Sequence, residues 1–207
     1  MLTANQQIDD GFFVSRKEIT GLVSGIHSVK TPEEVRDVTA RMAGHRFISR
    51  YTPGRGLMCK AVLIMEEIRP RNKFYLNLRY DLKDACPVLY YSNKGGIPSA
   101  EAIEKMHADS LHKRPIDILK GFKDENFAFK LAQEVAEEFG CPNHTLIIRK
   151  IIKNMYDCFI QRDCTCLSLN PLVETDAQTL TTLGCKMEID DAAIFRQPEL
   201  GMMMDWA

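Results

Sequence analysis

The segment from His144 to Gln161 places Ile147, Ile148, Ile151, Ile152, Met155, Tyr156, Phe159 and Ile160 at helical spacing. A stripe that broad belongs in a core, because a helix exposing it would leave a large apolar face in water. The neighbouring segments suit a layer to cover it. Asp124 is placed to cap a helix whose apolar residues Phe127, Leu131, Val135 and Phe139 end at Gly140. Two strands are predicted downstream, over Cys164 to Leu172 and over Thr179 to Ile189. Helices and strands mixed in this way predict an α+β (mixed α/β) layered domain.

Upstream, Leu22 to Val29 alternates like a strand. Thr31-Pro32-Glu33-Glu34 then supplies a capping residue, a proline at the first helical position and a glutamate three beyond the cap. Val35, Val38 and Met42 recur at helical spacing, and Gly44 stands where a left-handed residue would end the helix. Thr52-Pro53-Gly54-Arg55-Gly56 reads as a turn. Lys60 to Ile68 reads as a largely buried strand, and Lys73 to Asp81 with Pro87 to Ser92 as a hairpin around Lys83-Asp84-Ala85. Gly95-Gly96-Ile97-Pro98 opens a polar stretch that runs through His112.

With 207 residues and 45% hydrophobic content, the chain can bury one sizeable core, or a core with a small lobe. A formal net charge of -1 supplies no electrostatic footprint for nucleic acid, so direct base readout is not expected. Apolar runs such as Ala61 to Met65 fall far short of the roughly 20 residues a membrane-spanning helix needs. The first ten residues contain acidic side chains and no arginine, unlike a signal or transit peptide. Seven cysteines, an odd number without tight pairing, predict reduced and mostly buried thiols. Cys164 and Cys166 are expected on one face of a strand. No suitably spaced His or Cys set completes a zinc site, and His27, His45, His107, His112 and His144 read as structural or solvated.

From Gly21 to Leu200 the chain resembles the ATP-grasp part of the succinyl-CoA synthetase (succinate–CoA ligase) β subunit, mitochondrial type. The matching pieces are Gly21-Leu22 followed by Gly25-Ile26-His27, Tyr51-Thr52-Pro53, Val62-Leu63-Ile64, Tyr75-Leu76 with Asp81, Pro87-Val88-Leu89, Gly95-Gly96, Asp117-Ile118 and Gly121 to Asp124. Asn170-Pro171-Leu172 and Phe195-Arg196-Gln197-Pro198 are the most specific. The resemblance implies an ATP-grasp fold with an incomplete N-terminal lobe and no C-terminal ligase or CoA-binding domain. It implies an extension over 1–17, a degenerate ATP-grasp domain over 18–200 (a remnant of the first lobe over about 18–68, the second lobe over 69–200) and a tail over 201–207. The family binds ATP or GTP with Mg²⁺ between two lobes, and a phosphohistidine loop of an α subunit carries phosphate between sites. A mitochondrial location, on the matrix side, follows from the same resemblance.

Its phosphate chemistry needs a glycine-rich loop with a lysine, because backbone amides and one cation neutralise the phosphates. In this register that loop falls on Gly11-Phe12-Phe13-Val14-Ser15-Arg16, where only the first glycine remains. Mg²⁺ takes carboxylates alongside phosphates and water. The family's metal asparagine is retained as Asn170, whereas its aspartate falls on Gly184 and the glutamate two before the asparagine falls on Ser168. Asn170 therefore reads as a vestigial metal position or as a turn residue. Glu66 reads as a vestigial nucleoside contact or as an ordinary strand-end carboxylate. Asp81 persists, but the arginine after it becomes Leu82, and the glutamate after the double glycine becomes Ala100.

No catalytic residue is assigned and no cofactor is expected. The leading expectation is a non-catalytic structural or accessory subunit of a larger assembly, with protein partners that include a succinyl-CoA synthetase α-like subunit. The tail, Gly201 to Ala207 with the lone Trp206, suits either a partner interface or packing on its own domain. Two alternatives stand beside it. One is a piece of a split ligase, which would use ATP or GTP and Mg²⁺; the other is a metal-independent nucleotide sensor.

Overall fold

A computed structural model describes residues 12–14, 19–49, 52, 54–96 and 100–203. These residues form two units, Met1–Ile68 and Arg69–Ala207. In the first, β1 (Phe12–Val14), β2 (Ile19–Val23), α1 (Pro32–Met42), β3 (Arg46–Ile48) and β4 (Leu57–Met58) build an antiparallel sheet in the order β2-β1-β3-β4. Phe13, Leu22, Met42, Phe47 and Cys59 are its core, and the rings of Phe13 and Phe47 lie 4.8 Å apart. The capping box forms: the Thr31 hydroxyl accepts from Glu34 N–H, and the Glu34 carboxylate accepts from Thr31 N–H.

Phe12–Val14, within the span assigned from sequence to an extension, is an inner strand of the sheet, and Phe13 packs in the core beside Phe47. Two expectations fail in this unit. The strand expected over Leu22–Val29 stops at Val23, where Ser24 turns the chain with φ 76° and its Oγ accepts from Ile26 N–H. Lys60 to Ile68 form no strand, and Leu63, Ile64 and Met65 are 67%, 61% and 57% exposed. Apolar, β-favouring residues need a paired neighbour to become a buried strand, and this segment has no ladder partner among the described residues.

The second unit contains β5 (Pro70–Asp81), β6 (Cys86–Ser92), α2 (Ala100–Met106), β7 (His112–Pro115), α3 (Glu125–Glu138), α4 (Thr145–Gln161), β8 (Cys164–Thr175), β9 (Leu180–Thr182), β10 (Cys185–Ile189) and α5 (Pro198–Met203). Its antiparallel sheet has the order β10-β8-β5-β6-β7, with β9 also paired to β8. Phe74, Leu76 and Leu78 face α3 and α4 across a core that includes Leu131, Val135, Ile148, Ile152, Met155 and Phe159. Phe74 stacks on Phe139 at 4.2 Å. On the opposite face Tyr75, Val88 and Tyr90 pack with Ile103 of α2.

The hairpin and both long helices lie where the sequence predicts them, and Asp124 Oδ1 accepts from the amides of Asn126 and Phe127. The stripe on α4 is wider than the sheet it covers, so Ile147 and Ile160 remain 46% and 40% exposed. The polar stretch through His112 hides both α2 and β7. The strand expected over Thr179–Ile189 breaks at Leu183-Gly184 into β9 and β10. Cys164 and Cys166 do not share a face, because the register shift opposite Glu188/Ile189 inserts a bulge between them. Cys164 joins the core under α4, while the Cys166 thiol points to Asn77 Oδ1 at 3.6 Å. Among the described residues no helix is long and apolar enough to cross a membrane.

Candidate functional site

Three backbone segments of the second unit meet at Asn170. Its side-chain Oδ1 accepts from Gly96 N–H at 2.8 Å, and its backbone N–H donates to Gly184 O at 2.9 Å. The peptide bond to Pro171 is cis, and Leu183 N–H donates to Pro171 O at 3.0 Å. Gly95 holds the third segment in place through its N–H bond to Lys73 O. Asn170 thus ties the loop after β6 to the ladder between β8 and β10.

This packing decides what position 184 can hold. A Cβ on Gly184 would lie 2.2 Å from Asn170 O and 3.1 Å from its carbonyl carbon. Both are backbone atoms, so a rotamer change cannot relieve the overlap. Any side chain at this position, a carboxylate included, requires the two strands to separate. Gly95 is confined in the same way, since its Cβ would lie 2.3 Å from Phe74 O.

The surface beside Asn170 is polar. Ser168 is buried, and Asn77 Nδ2 donates to the Tyr75 hydroxyl at 2.8 Å. Burial pushes the Tyr75 hydroxyl up to about 12 and raises the Cys166 thiol, so both stay protonated near neutrality. This layer follows from β5, where Phe74, Leu76 and Leu78 alternate with Tyr75, Asn77 and Arg79. That alternation was the overlooked signal that β5 buries a polar face as well as an apolar one. The donor set at the corner is therefore an amide oxygen already hydrogen-bonded, with hydroxyl groups nearby and no carboxylate at 184. It does not fit Mg²⁺, which takes near-octahedral oxygen ligands and usually a carboxylate.

The other retained positions have structural work. Asp81 Oδ1 accepts from Lys83 N–H at 2.8 Å and its other oxygen accepts from the Tyr90 hydroxyl, so it closes the β5–β6 turn. These bonds, the Tyr90 one foremost, hold its carboxyl down to about 2. Arg79 lies over the Tyr90 ring at 4.4 Å. Leu82, where the resemblance places an arginine, is 98% exposed. Glu66 belongs to the first unit, is exposed, and lies in the segment that forms no strand.

Where the resemblance places the glycine-rich loop, Phe13 is 1% exposed and anchors the first core. Gly11, Ser15 and Arg16 lie outside the described residues, as do Met204 to Ala207 of the tail. The closing Arg196-Gln197 pair is a latch. Arg196 Nε and Nη2 donate to the Asp163 carboxylate at 2.9 and 2.6 Å, and Gln197 Nε2 donates to it at 2.9 Å and to Gln161 O at 2.7 Å. Arg196 first, then Gln197, lowers the Asp163 carboxyl to about 2. Four of the five histidines have local partners: His27, His45 and His144 bond to backbone carbonyls, and His112 bonds to Glu138.

Residues 17–174 match the ATP-grasp domain family. The chain is 30% identical over 189 residues to the mitochondrial succinate–CoA ligase [ADP-forming] subunit β of Columba livia, covering 90% of this chain and 44% of that protein. It is also 30% identical over 189 residues to the mitochondrial succinate–CoA ligase [GDP-forming] subunit β of Dictyostelium discoideum, covering 91% and 44%. It thus spans less than half the length of these relatives. Among solved structures, ATP citrate lyase from Methanothrix soehngenii in complex with citrate and coenzyme A aligns with a TM-score of 0.59 at 15% identity, over 84% of this chain and 37% of that one. That likeness concerns the fold. On the family match and the sheet and helix order described above, the chain belongs to the ATP-grasp domain family, with sequence similarity to succinate–CoA ligase β subunits.

Proposed function

We propose that this chain is a non-catalytic ATP-grasp domain that serves as a structural or accessory subunit of a larger mitochondrial assembly. The observation that carries the reading is the contact between Gly184 and the Asn170 carbonyl, which leaves no room for a carboxylate where the resemblance places the metal aspartate. Phe13 supports it from the first unit, since a core phenylalanine occupies the register of the phosphate-cradling loop. Phosphoryl transfer depends on positioned cations and backbone amides around the phosphates, and Phe13 offers packing in that register instead. The mitochondrial location and the pairing with other subunits, an α-like subunit among them, rest on the names of the relatives, which are mitochondrial β subunits.

Affinity purification of the tagged chain from mitochondria, followed by mass spectrometry and native gels, tests this reading. Recovery in fixed stoichiometry within a multi-subunit assembly without succinate–CoA ligase activity is expected. Recovery chiefly with an α subunit, in fractions that form succinyl-CoA, favours the split-ligase alternative and overturns the proposal.

A further inference from the structure

One edge of the second unit's sheet carries a self-complementary strand. Asn170 N–H donates to Gly184 O, which makes 170 and 184 a hydrogen-bonded pair. Along the same register Lys186 faces Ser168, Met187 faces Leu167 and Glu188 faces Cys166. Hydrogen-bonded and non-bonded pairs alternate along an antiparallel ladder. Lys186 and Glu188 therefore direct their peptide groups toward β8, and Met187 directs its N–H and C=O away from it. Among the described residues no strand pairs with that outer side of β10. Met187 is 40% exposed there, flanked by Lys186 and Glu188, whose half-exposed side chains form an ion pair along the strand.

We infer that β10 is a homodimerisation edge, at which two copies of this chain pair antiparallel about a two-fold axis through Met187. In that register each Met187 exchanges two N–H···O=C bonds with the partner's Met187. Lys186 then stands opposite the partner's Glu188, and Glu188 opposite the partner's Lys186. Both are non-hydrogen-bonded positions, where cross-strand side chains approach most closely and opposite charges stabilise. The order Lys-Met-Glu complements itself about its centre, which is why a second copy fits this edge. Cys185, Met187 and Ile189 fall on the face of the α3–α4 core, so pairing also covers the exposed methionine. The result is one continuous sheet through both copies, the symmetric arrangement an isologous contact requires.

Sedimentation velocity on the full chain, from about 1 to 100 µM, reads the association directly, since a small edge contact belongs to the weak class of interface. A concentration-dependent dimer is expected. Glu188→Lys brings four lysines together and weakens dimerisation about tenfold or more. The double variant Lys186→Glu/Glu188→Lys reverses the order to Glu-Met-Lys, which is again self-complementary, and restores wild-type dimerisation. Met187→Pro removes an N–H that faces away from β8, as an edge strand tolerates; it abolishes the dimer while the far-ultraviolet dichroism stays that of the folded chain. A chain that is monomeric throughout overturns the inference. So does a dimer indifferent to Glu188→Lys and Met187→Pro, or a double variant as weak as the single one.

Discussion

Gly184 is the residue on which the account of the site turns, because its missing side chain lets β10 and the Asn170 carbonyl meet. Gly184→Ala should destabilise the chain by about 2 kcal/mol or more in urea titration, since overpacking against backbone cannot relax by rotation. Gly54→Ala, where nothing lies within 4 Å of the added carbon, should stay within about 0.5 kcal/mol. Tyr75→Phe removes the acceptor of Asn77 Nδ2 in a buried layer and should cost roughly 1 to 3 kcal/mol by the same measurement. The Asp163 latch is read by pH. Its folded carboxyl lies near 2, below an unfolded value of about 3.9. Its contribution is therefore complete above that value and is lost as pH falls toward 2. The difference in melting temperature between wild type and Asp163→Asn should be constant above about pH 5 and shrink steadily as pH falls through 2. The departures at 13, 168 and 184 follow from the register that the resemblance implies. The sequence could not show that the Gly184 Cβ position is occupied by Asn170, because that contact depends on the ladder between two separate strands.

At the scale of elements, legibility followed how local the determining physics is. The α1 capping box and the Asp124 cap lie within one helical turn, and both form as their spacing requires. Thr31→Ala should lower the stability of the first unit by about 1 kcal/mol in thermal or chemical denaturation, for loss of the Glu34 N–H acceptor. The hairpin of β5 and β6 was legible from two apolar runs and a polar turn. Lys60 to Ile68 was misread because a strand is defined by its neighbour, which a run of apolar residues does not specify. The bulge at Cys164 and Cys166 has the same origin: the period of two holds only while the register does. The polar residues of α2 and β7 concealed them, since Ile103 and Ile116 are the only fully buried hydrophobics among the described residues from 100 to 116.

For the molecule as a whole, the described residues hold three separate cores: one around Phe13 and Phe47, one between the long helices and the sheet of the second unit, and one around Tyr75 and Ile103 on that sheet's other face. Phe13 of the first core stands where the resemblance places phosphate chemistry, and the position of the metal aspartate, Gly184, is filled by its close contact with the Asn170 carbonyl. The stability of such an ATP-grasp chain should be indifferent to its family's ligand. The most direct measurement is isothermal titration calorimetry of the purified chain with ATP and with GDP, each in the presence and absence of Mg²⁺. The account predicts no saturable heat up to about 1 mM nucleotide, the weak end of the affinity scale, with or without the metal. Saturable binding in the micromolar range that appears on adding Mg²⁺ and disappears with a chelator would contradict it.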